Sequence, residues 1–240
     1  MNPPSHHPTV KVEIWSDFMC PYCYIAKRKF EAALDEFDGR DQVDIVWKSF
    51  QLQADLITDP SKNAIEYTAK LKRIPILIAR KAYAEISAKA QTVGLNLDFV
   101  RAIVANTFDA HRLAHFAVTK GKGDEMQEKL MEAYFVAGIN VADHEALCDL
   151  AIQVDLQATD VMEVLRSNAF AEAVLRDMDE ARQLEIRGVP NYLVNHTIEL
   201  AGQRGTQEYL AALRTGLEEV IAAAAANHVN AFCDIQGNCS

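Results

Sequence analysis

The sequence predicts an α/β protein whose single sheet is assembled from both ends of the chain around a large, all-helical insertion. Two observations carry this prediction: strand signals cluster near residues 10–50 and 188–201, and the long stretch between them reads as helix. Residues 10–17 alternate apolar and polar with the period of a strand. From Pro21 onward, Tyr24, Phe30, Ala33, Leu34 and Phe37 recur at helical spacings with Lys27, Arg28, Lys29, Glu31 and Glu36 between them. A turn at Gly39-Arg40-Asp41 leads to a second strand over residues 43–50. Strand, helix, strand in so short a span is a βαβ unit, for which a parallel pair is expected.

After Pro60 the pattern changes. To about Gly188 it is helical, broken at Pro75, Gly94, Gly121, Gly123 and Gly138, with Asp98, Asp124, Asp143 and Thr159 as candidate caps. Phe99, Ile103, Phe108, Leu113 and Phe116 fit one core-facing stripe, and Leu130, Tyr134, Leu147, Leu150 and Val154 fit another. Strand character returns at residues 191–195 and 197–201, with a turn at His196. A last helix runs from Gln207 to about Ala226, prolonged by the Ala222–Ala226 run. Residues 10–58 and 184–226 thus form one domain, 61–183 an inserted helical subdomain, and 227–240 a loose tail.

At 240 residues, half of them hydrophobic and 24% charged, the composition is that of an ordinary globular protein. The net charge of −10 and the lack of a basic patch argue against nucleic acid as a partner. No run of about 18 apolar residues predicts a membrane span, and the first twenty residues, with Pro3, Pro4, His6, His7 and Pro8, do not read as a signal peptide. The expected location is cytoplasmic, where a Cys-x-x-Cys is more often catalytic than structural.

That motif is Cys20-Pro21-Tyr22-Cys23, at the junction of the first strand and first helix. Pro21 falls in the first turn, where its missing N–H costs nothing, and Cys20 falls at the positive end of the helix, which favours a thiolate. Lowering a thiol from about 8.5 to about 6.5 raises its thiolate fraction about 25-fold at neutral pH. Intrinsic nucleophilicity drops about 8-fold in return, so the larger effect is a better leaving group. Cys20, at the exposed helix start, is the expected attacking thiol, and Cys23, one turn inside, the resolving one. Half of a zinc site is the competing reading, but no second Cys-x-x-Cys completes it unless the tail cysteines do. No resident metal or cofactor is expected.

Three segments, Trp15-Ser-Asp-Phe-Met-Cys-Pro-Tyr-Cys23, Asn106-Thr-Phe-Asp-Ala-His-Arg-Leu-Ala-His115 and Arg187-Gly-Val-Pro-Asn191, together with the element order, resemble the DsbA family of the thioredoxin superfamily, and within it the cytoplasmic FrnE-like branch. The resemblance spans about residues 10–226. It implies a thioredoxin-like fold with a large all-helical insertion and a thiol–disulfide oxidoreductase or isomerase working through mixed disulfides. It also implies that Pro190 follows a cis bond and lies against the cysteines, that the backbone of Val189 pairs with an extended substrate, and that Pro21 and Tyr22 tune the redox couple. Substrates would be thiols or disulfides, protein or small molecule. Glutathione is left open as a co-substrate because Pro-Tyr is also the glutaredoxin dipeptide.

The resemblance further places Asn106, His111 and Arg112 over the active site as substrate-positioning groups. Read from the residues alone, the same stretch is a polar helix face, with His111 and His115 at i and i+4 but no third metal ligand. Asp17 reads as a turn or helix-start carboxylate, or else as a proton relay to the resolving thiol. Cys148, in an amphipathic pattern, reads as a small buried hydrophobe. Cys233 and Cys239 form a C-x5-C in the polar tail. FrnE-type proteins have a second cysteine pair near the C-terminus, which implies an accessory redox pair here.

Two other functions compete. The 2-hydroxychromene-2-carboxylate isomerases, which are glutathione-dependent, share the fold but typically place a serine where this chain has Cys20. A non-catalytic zinc-binding or interaction module is the other. Substrate, redox direction and oligomeric state are not encoded in any motif.

Overall fold

The computed structural model describes residues 9–236, with side chains described to residue 226. The main sheet has four strands in the order β2-β1-β5-β6. Strand β1 (Val10–Ser16) runs parallel to β2 (Val43–Ser49), in register from Val10 opposite Val43 to Ser16 opposite Ser49. The connection is helix α1 (Pro21–Asp35). Strand β5 (Asn191–Val194) is antiparallel to β1, and β6 (Ile198–Ala201) closes the edge as a hairpin with β5. That hairpin turns through Asn195 and His196, both at positive φ (49° and 60°), with Thr197 N–H donating to Val194 C=O at 3.0 Å. A two-residue turn with both φ positive matches the right-handed twist of its strands.

Between β2 and β5 lie α2 (Ala64–Lys72), α3 (Ile76–Gln91), α4 (Phe108–Thr119), α5 (Gly123–Glu132), α6 (His144–Ile152), α7 (Ala158–Arg166) and α8 (Ala171–Gln183). The insertion also contains an element the helical pattern did not predict. Strands β3 (Asp59–Asn63) and β4 (Ile103–Val104) pair antiparallel where they enter and cross the insertion. The stripe expected from Phe99 is therefore not one helix. Asp98 accepts from the N–H groups of Val100 and Arg101 (3.0 and 3.1 Å), a local turn that competes with helix, and α4 begins only at Phe108. Among the candidate caps, Asp143 caps α6 by accepting from Ala146 N–H at 2.8 Å.

Helix α9 (Thr206–Gln236) also departs from expectation, since its backbone continues ten residues past Ala226 into the segment read as a loose tail. No Gly or Pro interrupts residues 217–236, and the alanine run carries the helix onward.

Helix α1 is the wall shared by two cores. Ala26, Phe30, Ala33 and Leu34 pack on the sheet with Val12, Ile14, Tyr192 and Leu213, the last from α9. Cys23, Tyr24 and Ile25 face the other way, into the core of the insertion with Leu113, Leu130 and Phe135. Polar contacts reinforce that second face. Glu128 on α5 accepts from Tyr24 Oη (2.6 Å), Lys27 Nζ (2.8 Å) and the Arg28 guanidinium, while Glu31 also meets Lys27 and Arg28. Those cations hold the Glu128 carboxyl at about 2 against the burial that opposes its charge. The helix bearing both cysteines is thereby fixed to the insertion.

Candidate active site

Cys20 is the N-cap of α1, with extended backbone (φ −92°, ψ 108°) and no side-chain capping hydrogen bond. Its N–H donates to Asp17 C=O, and Cys23 N–H donates to Cys20 C=O, both at 3.0 Å. Both thiols are free. The Val189–Pro190 bond is cis, and Cys20 Sγ donates to Val189 C=O at 3.6 Å. The structure thus brings Cys20, Cys23 and the segment before Pro190 together.

The two thiols differ in surroundings. Cys23 is 2% exposed, and burial pushes its thiol well above the ordinary value. A hydrogen bond with Cys20 and the charge of Cys20 push the same way. Cys20 is itself only 4% exposed, so the exposed helix start expected from the sequence is roofed over. The insertion provides the roof, leaving a cavity of about 360 Å³.

Cys20, Pro21, Tyr22 and Val189 line that cavity, as do Met19, Leu52, Tyr67, Tyr83, Phe99 and Phe135. Two pairs of its polar groups satisfy each other: Tyr67 Oη donates to Gln53, and Thr68 Oγ1 pairs with Tyr83 Oη at 2.7 Å. Lys72 is the charged residue on its wall. The α2 and α3 contributors were not identified from the sequence. Their aromatic spacing reads as core, and nothing local reports that this core is hollow on the side of Cys20.

The three insertion residues expected over the active site do not line this cavity. Asn106 staples loops: its side chain accepts from Phe108 N–H (2.9 Å) and Gln51 Nε2 (3.0 Å) and donates to Ala54 and Leu56 C=O (3.1 and 2.9 Å). Arg112, 4% exposed, turns away to the α7–α8 connection, donating to the carbonyls of Val164, Ser167 and Ala169 and pairing with Asp109. A guanidinium taken from water needs several acceptors, and these carbonyls supply them. His111 lies nearest the motif, its ring 4.6 Å from that of Phe18 and its Nε2 3.6 Å from Asp17 Oδ1.

Asp17, fully buried, joins three segments at the base of the motif. Oδ1 accepts from Thr107 Oγ1, and Oδ2 from Leu52 N–H, both at 2.8 Å. His115 does not pair with His111; it faces Asp177 (2.9 Å) and Ser49 (3.1 Å). Cys148 is buried, and desolvation raises its thiol. The Cys233 side chain and all of Cys239 lie outside the described residues. Among the described residues, no group of three or more His, Cys, Asp or Glu side chains is arranged to hold a metal ion.

Comparison with known proteins agrees with this architecture. A probable DsbA oxidoreductase from Streptomyces coelicolor superposes with a TM-score of 0.83 and 31% identity, over 88% of this chain and 91% of its own. YwbO of Bacillus subtilis (strain 168) is 26% identical over 198 residues, 79% of this chain and 89% of that protein. A 2-hydroxychromene-2-carboxylate isomerase shares the fold at 15% identity (TM-score 0.62, 90% of this chain and 98% of its own), so the fold alone does not separate redox from isomerase chemistry. The model of the DSBA-like thioredoxin domain matches residues 11–214, and the chain belongs to that family.

Proposed function

We propose that this chain is a thiol–disulfide oxidoreductase of the FrnE-like type, with Cys20 as attacking and Cys23 as resolving thiol. The observation that carries the reading is the contrast between the two sulfurs. One caps a helix and opens on a cavity; the other is sealed beneath it with its thiol pushed up. In the first step the Cys20 thiolate attacks one sulfur of a substrate disulfide, forming a mixed disulfide and expelling the other sulfur as thiolate. Two of the three influences that raise Cys23 come from Cys20, its hydrogen bond and its charge. Both vanish once Cys20 is bonded to substrate, so the first step prepares the second. Cys23 then loses its proton and attacks Cys20 Sγ, releasing substrate thiolate and leaving the Cys20–Cys23 disulfide.

A low-molecular-weight thiol such as glutathione would return the pair to the dithiol, and the redox group is the disulfide itself. The expected setting is a reducing cytoplasm. Among the described residues no helix is long and apolar enough to cross a membrane. The isomerase alternative shares the fold, but two free thiols one turn apart favour disulfide exchange.

Cys23→Ser tests the assignment. It should accumulate a mixed disulfide at Cys20, seen by mass spectrometry, while Cys20→Ser should give no adduct and no reduction of hydroxyethyl disulfide. Adduct on Cys148, or turnover by Cys20→Ser, would refute the assignment.

A further inference from the structure

The corner formed by α2 and α3 presents a surface that the exchange chemistry does not itself require. From Tyr67 to Ala84 the chain carries Lys70, Lys72, Arg73, Arg80 and Lys81 and no acidic residue, within a protein of net charge −10. All five are exposed. None of these five forms an ion pair among the described residues, and the nearest carboxylates along the chain, Glu66 and Glu85, flank the stretch on either side. Between them stand Leu77 (74% exposed), Leu71 (55%), Ile78 (53%) and Ile76 (39%). Apolar side chains gathered in the open and rimmed by charge mark an interaction surface.

This surface is continuous with the redox site. Leu71 and Lys72 also line the cavity that holds Cys20. Further along α3, Lys89 Nζ lies 5.8 Å from the centre of the Tyr22 ring, inside the motif. A cavity of about 360 Å³ has room for the side chains beside a reacting cysteine, not for the polypeptide that bears them. The rest of a polypeptide substrate must therefore leave past its rim.

We propose that the α2–α3 corner docks acidic polypeptide segments and so selects disulfide substrates whose cysteine is flanked by carboxylates and apolar side chains. The inference rests on the oxidoreductase reading and narrows its substrate class. Charge complementarity identifies the occupant: five unpaired cations attract carboxylates and repel basic segments. An anionic lipid surface would offer the same charge. The polypeptide is favoured because the surface runs into the cavity at Cys20.

The test uses the reduced full-length protein in single turnovers, which need no added reductant. Three peptides share an apolar core and one cysteine, joined as a mixed disulfide to 5-thio-2-nitrobenzoate, and are flanked by Glu, Gln or Lys. Cys20 attacks the peptide sulfur and expels the coloured thiolate; Cys23 then closes the disulfide and frees the peptide thiol. At low ionic strength the Glu-flanked peptide should react about ten-fold faster than the Lys-flanked one, the ratio falling towards one in 1 M salt. Arg73→Glu/Arg80→Glu/Lys81→Glu should reverse the order. The salt dependence of the parent is read without any variant. Equal rates for the three peptides, with hydroxyethyl disulfide still reduced, overturn the docking surface and leave the oxidoreductase reading standing. Failure with every disulfide overturns both. Binding to phosphatidylglycerol vesicles without peptide discrimination assigns the surface to lipid and overturns the proposal.

Discussion

Replacing Glu128 by Gln removes the charge that ties α5 to the cysteine-bearing helix, and its cost can be worked from the site. The carboxylate meets Tyr24, Lys27 and Arg28, and the Lys27 side chain is 5% exposed, so one of its cations is deeply desolvated. Its pKa falls from 4.5 to about 2 on folding. The folded pKa is the lower one, so this stability is fully present above about pH 5 and is lost as pH falls towards 2. At 1.36 kcal/mol per tenfold, the drop corresponds to about 3 kcal/mol. Glu128 is 29% exposed, and solvent screening reduces the expected loss to about 2 kcal/mol. Gln preserves an acceptor for Tyr24, so the charge is what is tested. Urea unfolding at pH 7 should show the variant about 2 kcal/mol less stable than the parent. By pH 3 the gap should shrink to less than half, because the carboxyl is then protonated in the unfolded parent while still charged in the folded one, and that proton stabilises the unfolded state. A gap under about 0.5 kcal/mol at pH 7, or one that does not narrow in acid, would refute the reasoning.

Arg112→Ala should cost about 3 kcal/mol in urea unfolding, since it leaves the carbonyls of Val164, Ser167 and Ala169 without their charged donor; lost disulfide turnover at unchanged stability would instead return Arg112 to the substrate groove. Cys20→Ala should move the alkylation of Cys23 to lower pH, because it removes two of the three influences that raise that thiol. Peptide mapping of iodoacetamide adducts across pH reads this directly, and an unchanged profile would show that burial alone governs Cys23.

Local signals determined most of the framework. The alternation over residues 10–17 and 43–50, Pro21 after Cys20, and Gly188-Val189-Pro190 opening a strand are short-range patterns, and the strands and α1 stand where those patterns placed them, while the cis bond at Pro190 is where the family resemblance put it. Periodicity reported that the insertion is helical, since each amphipathic helix writes its own buried stripe into the chain. It could not report the β3–β4 pair, which depends on partners some forty residues apart. Nor could it say where α9 ends, because an alanine-rich helix offers no stop signal. The site was decided more by tertiary structure than by motif. Asn106, His111 and Arg112 sit on a stretch that resembles a substrate wall, yet a helix face acquires its neighbours only when the helices pack. Packing turned Arg112 to the α7–α8 connection and left Tyr67, Tyr83, Phe99 and Phe135 around the cavity. The burial of Cys20, unlike its position at the helix start, is a property of the roof above it. Spacing along the chain encodes which residues share a face, whereas the space that face encloses is set by elements far away in sequence.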